Sequence, residues 1–248
     1  MPDLLERLVA LEDDVRYREP PTDGEPRIGS LLGSTPVLLS APHSAIHIRR
    51  GKPKEEEEFT AAMACLVAHL TGAYALYARR RSPTDPNWYR DVPYKRLMSR
   101  MTVEHEVRFV FDIHGSAPDR SFGIALGTME GQSCPEQRSD IVRQLEACGF
   151  GRDRAFPDRV EVDETFTGRG KDDQETVTQF ASQRLEVPAA QLELHPLLRV
   201  VERREDATLP RPYRGDPERI ERLIEALVAL VELMASVEGD ASSRNGRG

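Results

Sequence analysis

Val107-Arg108-Phe109-Val110-Phe111-Asp112-Ile113-His114-Gly115 is a short apolar run that ends abruptly in a histidine. Its Val and Phe content, with turn formers just behind it, predicts a strand buried on both faces, and such strands occupy the middle of α/β sheets. Ligands in those folds collect at the carboxyl ends of strands. An Asp and a His at that end, followed by a Gly that lets backbone approach closely, mark a candidate site. A solitary strand-end His is more commonly a hydrogen-bonded core residue. This one has company.

Upstream, Val37-Leu38-Leu39-Ser40 reads as another buried strand, and it too runs into a histidine, at Ala41-Pro42-His43-Ser44. Between the two lie a basic loop over 48–54, four glutamates at 55–58, and an apolar stripe of Phe59, Met63, Leu66, Val67 and Leu70 at helical spacing. Acidic residues in a first helical turn complement the helix dipole, which accounts for three of the four glutamates. Ala73–Arg80 is expected to be a strand, 82–89 a polar loop holding the only Trp, and 94–106 a helix feeding the central strand.

Residues 4–16 suit an amphipathic helix, and 18–35, rich in Pro and Gly, a loop. Downstream, strands are expected at 122–129, at 160–166 near an edge, and at 191–195, with helices over 135–148, 174–185 and 217–237. Residues 238–248 read as a disordered tail, leaving 1–237 as one domain. Strands alternating with helices predict a three-layer α/β domain, its mostly parallel sheet covered on both faces.

A chain of 248 residues with 39% hydrophobic content can bury one sizeable core. A formal charge of −8 argues against nucleic-acid and anionic-membrane partners, both of which need a basic face. No apolar run approaches the ~20 residues of a membrane span, and the acidic N-terminus lacks signal-peptide character, so a cytosolic protein is expected. Cys65, Cys134 and Cys148 are odd in number and widely spaced, indicating neither a disulfide framework nor a thiolate zinc site, and Cys65 is expected in the core.

His43, a glutamate of the cluster and His114 together make two imidazoles and one carboxylate, the ligand set of an open catalytic Zn2+ site. Such a metal activates water and polarises a carbonyl while a nearby carboxylate takes the proton. Glu193, on an apolar strand where an unpaired carboxylate is costly, is the candidate for that role. Rival sites are weaker. There is no Gly-x-Ser-x-Gly elbow and no His-Glu-x-x-His helix, and 167–173 lacks the full glycine pattern of a dinucleotide or phosphate loop. His47, four residues after His43, follows a segment that reads as loop or strand, and His69 reads as a surface residue.

Five pieces in order resemble the N-formylglutamate amidohydrolase-like zinc hydrolases, whose fold is similar to that of the zinc carboxypeptidases. They are Ala41-Pro42-His43-Ser44, Gly51-Lys52-x-Lys54-x-x-Glu57-x-Phe59-Thr60, Asp85-x-Asn87, Asp112-Ile113-His114-Gly115 and Gln191-Leu192-Glu193-Leu194. The resemblance implies zinc held by His43, Glu57 and His114, Glu193 as catalytic acid/base, and hydrolysis of an amide on a small N-acylated acidic amino acid or related peptide. Helical phase alone would pick Glu56 as the ligand. Trp88 stands where better-known members carry an arginine, so substrate binding is assigned to Asn87 with Arg169 or Arg199, Arg90 being a further possibility. The alternative is a degenerate relative that binds an acidic metabolite or a partner without turnover.

Overall fold

The computed structural model describes residues 3–208 and 214–236, so the expected tail at 238–248 lies outside the described residues. Its main sheet has seven strands: β1 (Ile28–Leu31), β2 (Val37–Ala41), β5 (Tyr74–Ala78), β6 (Phe109–Gly115), β7 (Ile124–Gly127), β8 (Val160–Val162) and β9 (Ala189–Leu194). They lie in the order β1-β5-β2-β6-β9-β7-β8, which puts β6 at the centre and β8 at an edge. Neighbours β5, β2, β6 and β9 are mutually parallel, while β1 and β7 join antiparallel to β5 and β9. The mixed, mostly parallel three-layer architecture is the one expected.

One face of the sheet carries α1 (Leu4–Glu12), α2 (Thr60–Thr71), α4 (Arg138–Ala147) and α6 (Pro217–Ser236), and the other α3 (Pro93–Glu104) and α5 (Val177–Arg184). Strand alternation divides the apolar residues between them. Leu39, Phe111 and Leu192 join the larger core, whereas Leu38, Val110 and Ala189 point to the smaller one. On that second face the strands change character towards their carboxyl ends. Ser40, Asp112 and Gln191 stand in register across β2, β6 and β9, followed by His114 opposite Glu193. Period-2 alternation thus delivers a polar row to one face while Phe111, Ile113, Leu192 and Leu194 stay in the core behind it. Each of those fully buried side chains contributes about 1.5–3 kcal/mol.

Three local expectations are corrected. Residues 18–35 are not all loop: β1 forms within them, borrowing its order from pairing with β5, and Gly29 is needed because a Cβ there would lie 2.2 Å from the Tyr77 ring. The basic loop folds into a hairpin, β3 (His47–Arg49) and β4 (Lys52–Lys54), turning over Arg50 and Gly51 at φ 51° and 74°. The glutamates do not occupy a helix's first turn. Phe59 adopts a left-handed backbone at φ 62°, and α2 starts only at Thr60, so Glu55–Glu58 precede it and are free to point in different directions.

Candidate functional site

The turn after β2 is pinned by Ser44, whose hydroxyl donates to the carbonyls of Ala41 and Ala78, and this holds His43 over the carboxyl ends of the parallel strands. His114 arrives from the end of β6. Glu57 reaches between them: its backbone N–H donates to the His43 carbonyl, and Thr60 grips the Glu57 carbonyl at 2.7 Å. The two oxygens of Glu57 then face one imidazole nitrogen each, His43 Nδ1 at 2.9 Å and His114 Nδ1 at 3.0 Å. Gly115 N–H donates to Glu57 Oε2 at 2.9 Å. A Cβ on Gly115 would sit 2.5 Å from the Arg199 guanidinium, so a larger residue there would displace that side chain.

Behind each imidazole stands a fully buried aspartate. Asp85 meets His43 Nε2 at 2.9 Å, and Asp112 meets His114 Nε2 at 3.1 Å. Asp112 also accepts from Ser40 and Thr178 at 3.2 Å each, and Asp85 from Arg49 Nε at 2.5 Å. Burial opposes a charged His43, but Glu57 and Asp85 outweigh it and raise the imidazole to about 9. His114 moves up in the same way, against burial, through Asp112 and Glu57. Burial likewise opposes ionisation of Glu57, and the two imidazoles overcome it, holding the carboxyl well below its usual range.

Glu193 is buried beside this group, one strand over, and accepts from Gln191 Nε2 at 2.6 Å. Burial pushes its carboxyl up to about 7, against the pull of His114. It makes no ion pair with Arg199. The remaining glutamates diverge: Glu56 binds the backbone N–H and hydroxyl of Thr208, Glu58 is buried near Arg199, and Glu55 is exposed.

The site opens into a cleft whose larger arm encloses about 490 Å³, lined among others by Asn87, Arg169, Gln191 and Glu193. Asn87 Oδ1 accepts from the Val177 N–H at 2.6 Å, capping α5. Arg169 is fastened to Glu130 and Gln132 at the cleft wall. Arg199 lines a smaller arm of about 280 Å³ on the other side of the His43–Glu57 edge. Arg90 is exposed and lines neither arm.

Two residues of the site carry no assigned role in the sequence reading. Asp85 and Asp112 were visible only as parts of motifs, and their approach to the outer imidazole nitrogens is a tertiary fact. Arg49 belongs to the basic segment 48–54, whose charge suits a substrate carboxylate. In the hairpin, its guanidinium lies 5.1 Å from the Trp88 ring centroid and reaches both arms of the cleft.

The donor set fits a divalent metal. One atom from each of His43, Glu57 and His114 lies within 4.8 Å of the others, and each histidine's second nitrogen is held by a carboxylate, the arrangement that orients imidazole ligands. A second grouping, His43 with His47 and Asp85, is equally close. It fits less well, because Arg49 already occupies Asp85 and repels a cation. His47 stacks on His43 with ring centroids 4.0 Å apart and is held neutral by burial and by its charged neighbour.

No family profile matches the sequence, and no curated protein matches it. Among solved structures the chain is similar to a bacteriophage poly-gamma-glutamate hydrolase, with TM-score 0.52 and 14% identity over 85% of this chain and 90% of that one. It is similar also to the N-formylglutamate amidohydrolase of Ralstonia eutropha JMP134, with TM-score 0.52 and 13% identity over 85% of this chain and 98% of that one. The chain therefore has the α/β fold of N-formylglutamate amidohydrolase, as the five ordered motifs led us to expect.

Proposed function

We propose that this chain is a zinc-dependent amidohydrolase acting on a small N-acylated acidic amino acid or a related peptide-like amide. The observation that carries the reading is the convergence of two imidazoles on the two oxygens of Glu57, each imidazole backed by a buried aspartate. His43, Glu57 and His114 would hold the metal. A Zn2+ ion supplies Lewis acidity that polarises an amide carbonyl and eases deprotonation of water at neutral pH.

The chain's own residues do the rest. Glu193, with a carboxyl near 7, can take a proton at its oxygen and return it to the leaving amine, and Gln191 holds that carboxyl in place. Asp85 and Asp112 accept the outer N–H of His43 and His114, leaving the Nδ1 atoms to face the metal position. Arg169 and Asn87 both line the larger arm, where the positive charge of Arg169, partly offset by Glu130, can attract a substrate carboxylate. Both structural neighbours are named as hydrolases of glutamate-containing compounds, which agrees with an acidic substrate.

The test is metal analysis of the purified protein followed by a screen of the zinc-loaded enzyme against N-formyl, N-acetyl and longer N-acyl amino acids and short peptides. Close to one zinc per chain, lost in Glu57→Gln but retained in Glu56→Gln, and turnover of an acidic substrate are expected. Equal zinc retention in both variants would sink the ligand set. A zinc-loaded protein inert to the whole panel would favour a binding protein without turnover.

A further inference from the structure

The cleft has two arms, and both border His43, Arg49, Glu57, Gly115, Ser116 and Ala117. A substrate amide placed at that shared edge therefore extends one flank into each arm. The smaller arm encloses about 280 Å³, room for an amino-acid-sized group. A formyl group has two heavy atoms and would leave it almost empty.

The chemistry of that arm is set by Arg199. Its side chain is 5% exposed, and its hydrogen bonds go to two backbone carbonyls, those of Leu194 at 3.1 Å and of Glu58. Among the described residues no carboxylate forms an ion pair with it. Burial lowers the pKa of the guanidinium despite the pull of Glu58 and Glu57. A charge buried without an ionic partner is costly unless a ligand completes it. Lys54 at the rim and Arg49 at the junction add positive charge. Of the acidic residues on this wall, Glu56 is turned to Thr208, Glu55 is exposed to solvent, and Glu57 belongs to the histidine pair.

We propose that the smaller arm is a carboxylate pocket built on Arg199, so that the substrate carries an acidic group on each side of the scissile amide. The inference rests on the amidohydrolase reading and narrows it, from N-formyl compounds to N-dicarboxylacyl amino acids or amide-linked acidic residues. Water adds across the C–N bond, releasing one acidic carboxylic acid and one acidic amine.

N-succinylglutamate and N-butyrylglutamate have acyl groups of equal length and differ by one carboxylate. The zinc-loaded wild type should prefer the succinyl compound in kcat/KM by at least about tenfold, the lower end for a hydrogen bond to a charged group. γ-Glutamylglutamate should be favoured over N-formylglutamate in the same sense. Arg199→Gln should bring the succinyl-to-butyryl ratio close to one, and Arg199→Lys should keep part of it. Equal kcat/KM for the succinyl and butyryl compounds in the wild type overturns the pocket, as does a preference that survives in a folded Arg199→Gln protein. Calorimetry of succinate against butyrate needs no turnover and no variant, and equal affinities also overturn it. If no N-acylglutamate is hydrolysed, the amidohydrolase reading fails while calorimetry still decides the pocket.

Discussion

Glu57 shows how much one side chain's direction matters. It sits in a run of four identical residues, yet it alone faces both imidazoles, because Thr60 and the His43 carbonyl fix its backbone before α2 begins. Glu193 is set apart in a different way, by burial beside that group. Glu193→Gln keeps the shape and can still accept from Gln191, but it cannot take a proton. Turnover should fall by about a hundredfold or more, with zinc content and melting temperature unchanged. If Glu193 served mainly as a structural charge, the same variant would stay active and lose stability instead. Turnover, bound zinc and melting curves on one sample separate the two outcomes.

At the scale of elements, α2 begins without a side-chain cap of its own, since Phe59 cannot supply one. The last residue of α1 substitutes. Glu12 is fully buried and accepts from the Phe59 N–H at 2.7 Å, the Ala62 N–H at 3.2 Å and the Tyr17 hydroxyl at 2.5 Å. One carboxyl thereby ties two helices together. Burial raises it to about 7, although Tyr17, the two amides and Arg204 all favour ionisation. The folded-state value lies above the ordinary 4.5, so between those two pH values the folded protein holds a proton that the unfolded chain has lost. The contribution of this carboxyl to stability should therefore decline as pH rises through this window, by at most about 1.4 kcal/mol per unit, and level off above it. Denaturant titrations at pH 5, 6 and 7 should show the slope in the wild type and a clearly shallower one in Glu12→Gln, the remainder coming from Glu193, whose carboxyl is raised to about 7 as well; the variant should also be less stable by about 1–3 kcal/mol from mismatched buried donors. An identical slope in that variant would assign the effect to another group.

At the scale of the molecule, the candidate ligands come from three separate segments: the turn after β2, the approach to α2 and the end of β6. A metal held by all three favours the folded state by mass action, by roughly 4 kcal/mol at a thousandfold excess over its dissociation constant. For a domain of this size that corresponds to a melting shift on the order of 10 °C. Adding a chelator to the zinc-loaded protein should lower the melting temperature by that order, and Glu57→Gln should respond much less. A zinc-containing protein that melts at the same temperature with and without chelator would place its metal elsewhere. No described helix is long and apolar enough to cross a membrane.

The sequence by itself determined the elements whose pattern is strong and local. The Val-Phe run of β6, the apolar stripe of α2 and the alternation of strands with helices predicted a three-layer sheet with β6 at its centre and His43 and His114 at strand ends. What escaped it depended on partners distant in the chain. β1 exists because β5 offers it a ladder, and the basic segment becomes a hairpin through two left-handed residues, neither of which an apolar pattern encodes. The choice of Glu57 over Glu56 was open from helical phase and was suggested only by the motif spacing. In the structure the break in the backbone at Phe59 turns the two carboxylates apart, Glu57 towards the histidines and Glu56 towards Thr208, which supports the proposal of Glu57. Asp85, Asp112 and Arg199 take their character from desolvation and from neighbours between 2 and 141 residues away in the chain. Burial and pairing across such separations are properties of the folded chain, and there the tertiary structure alone decides.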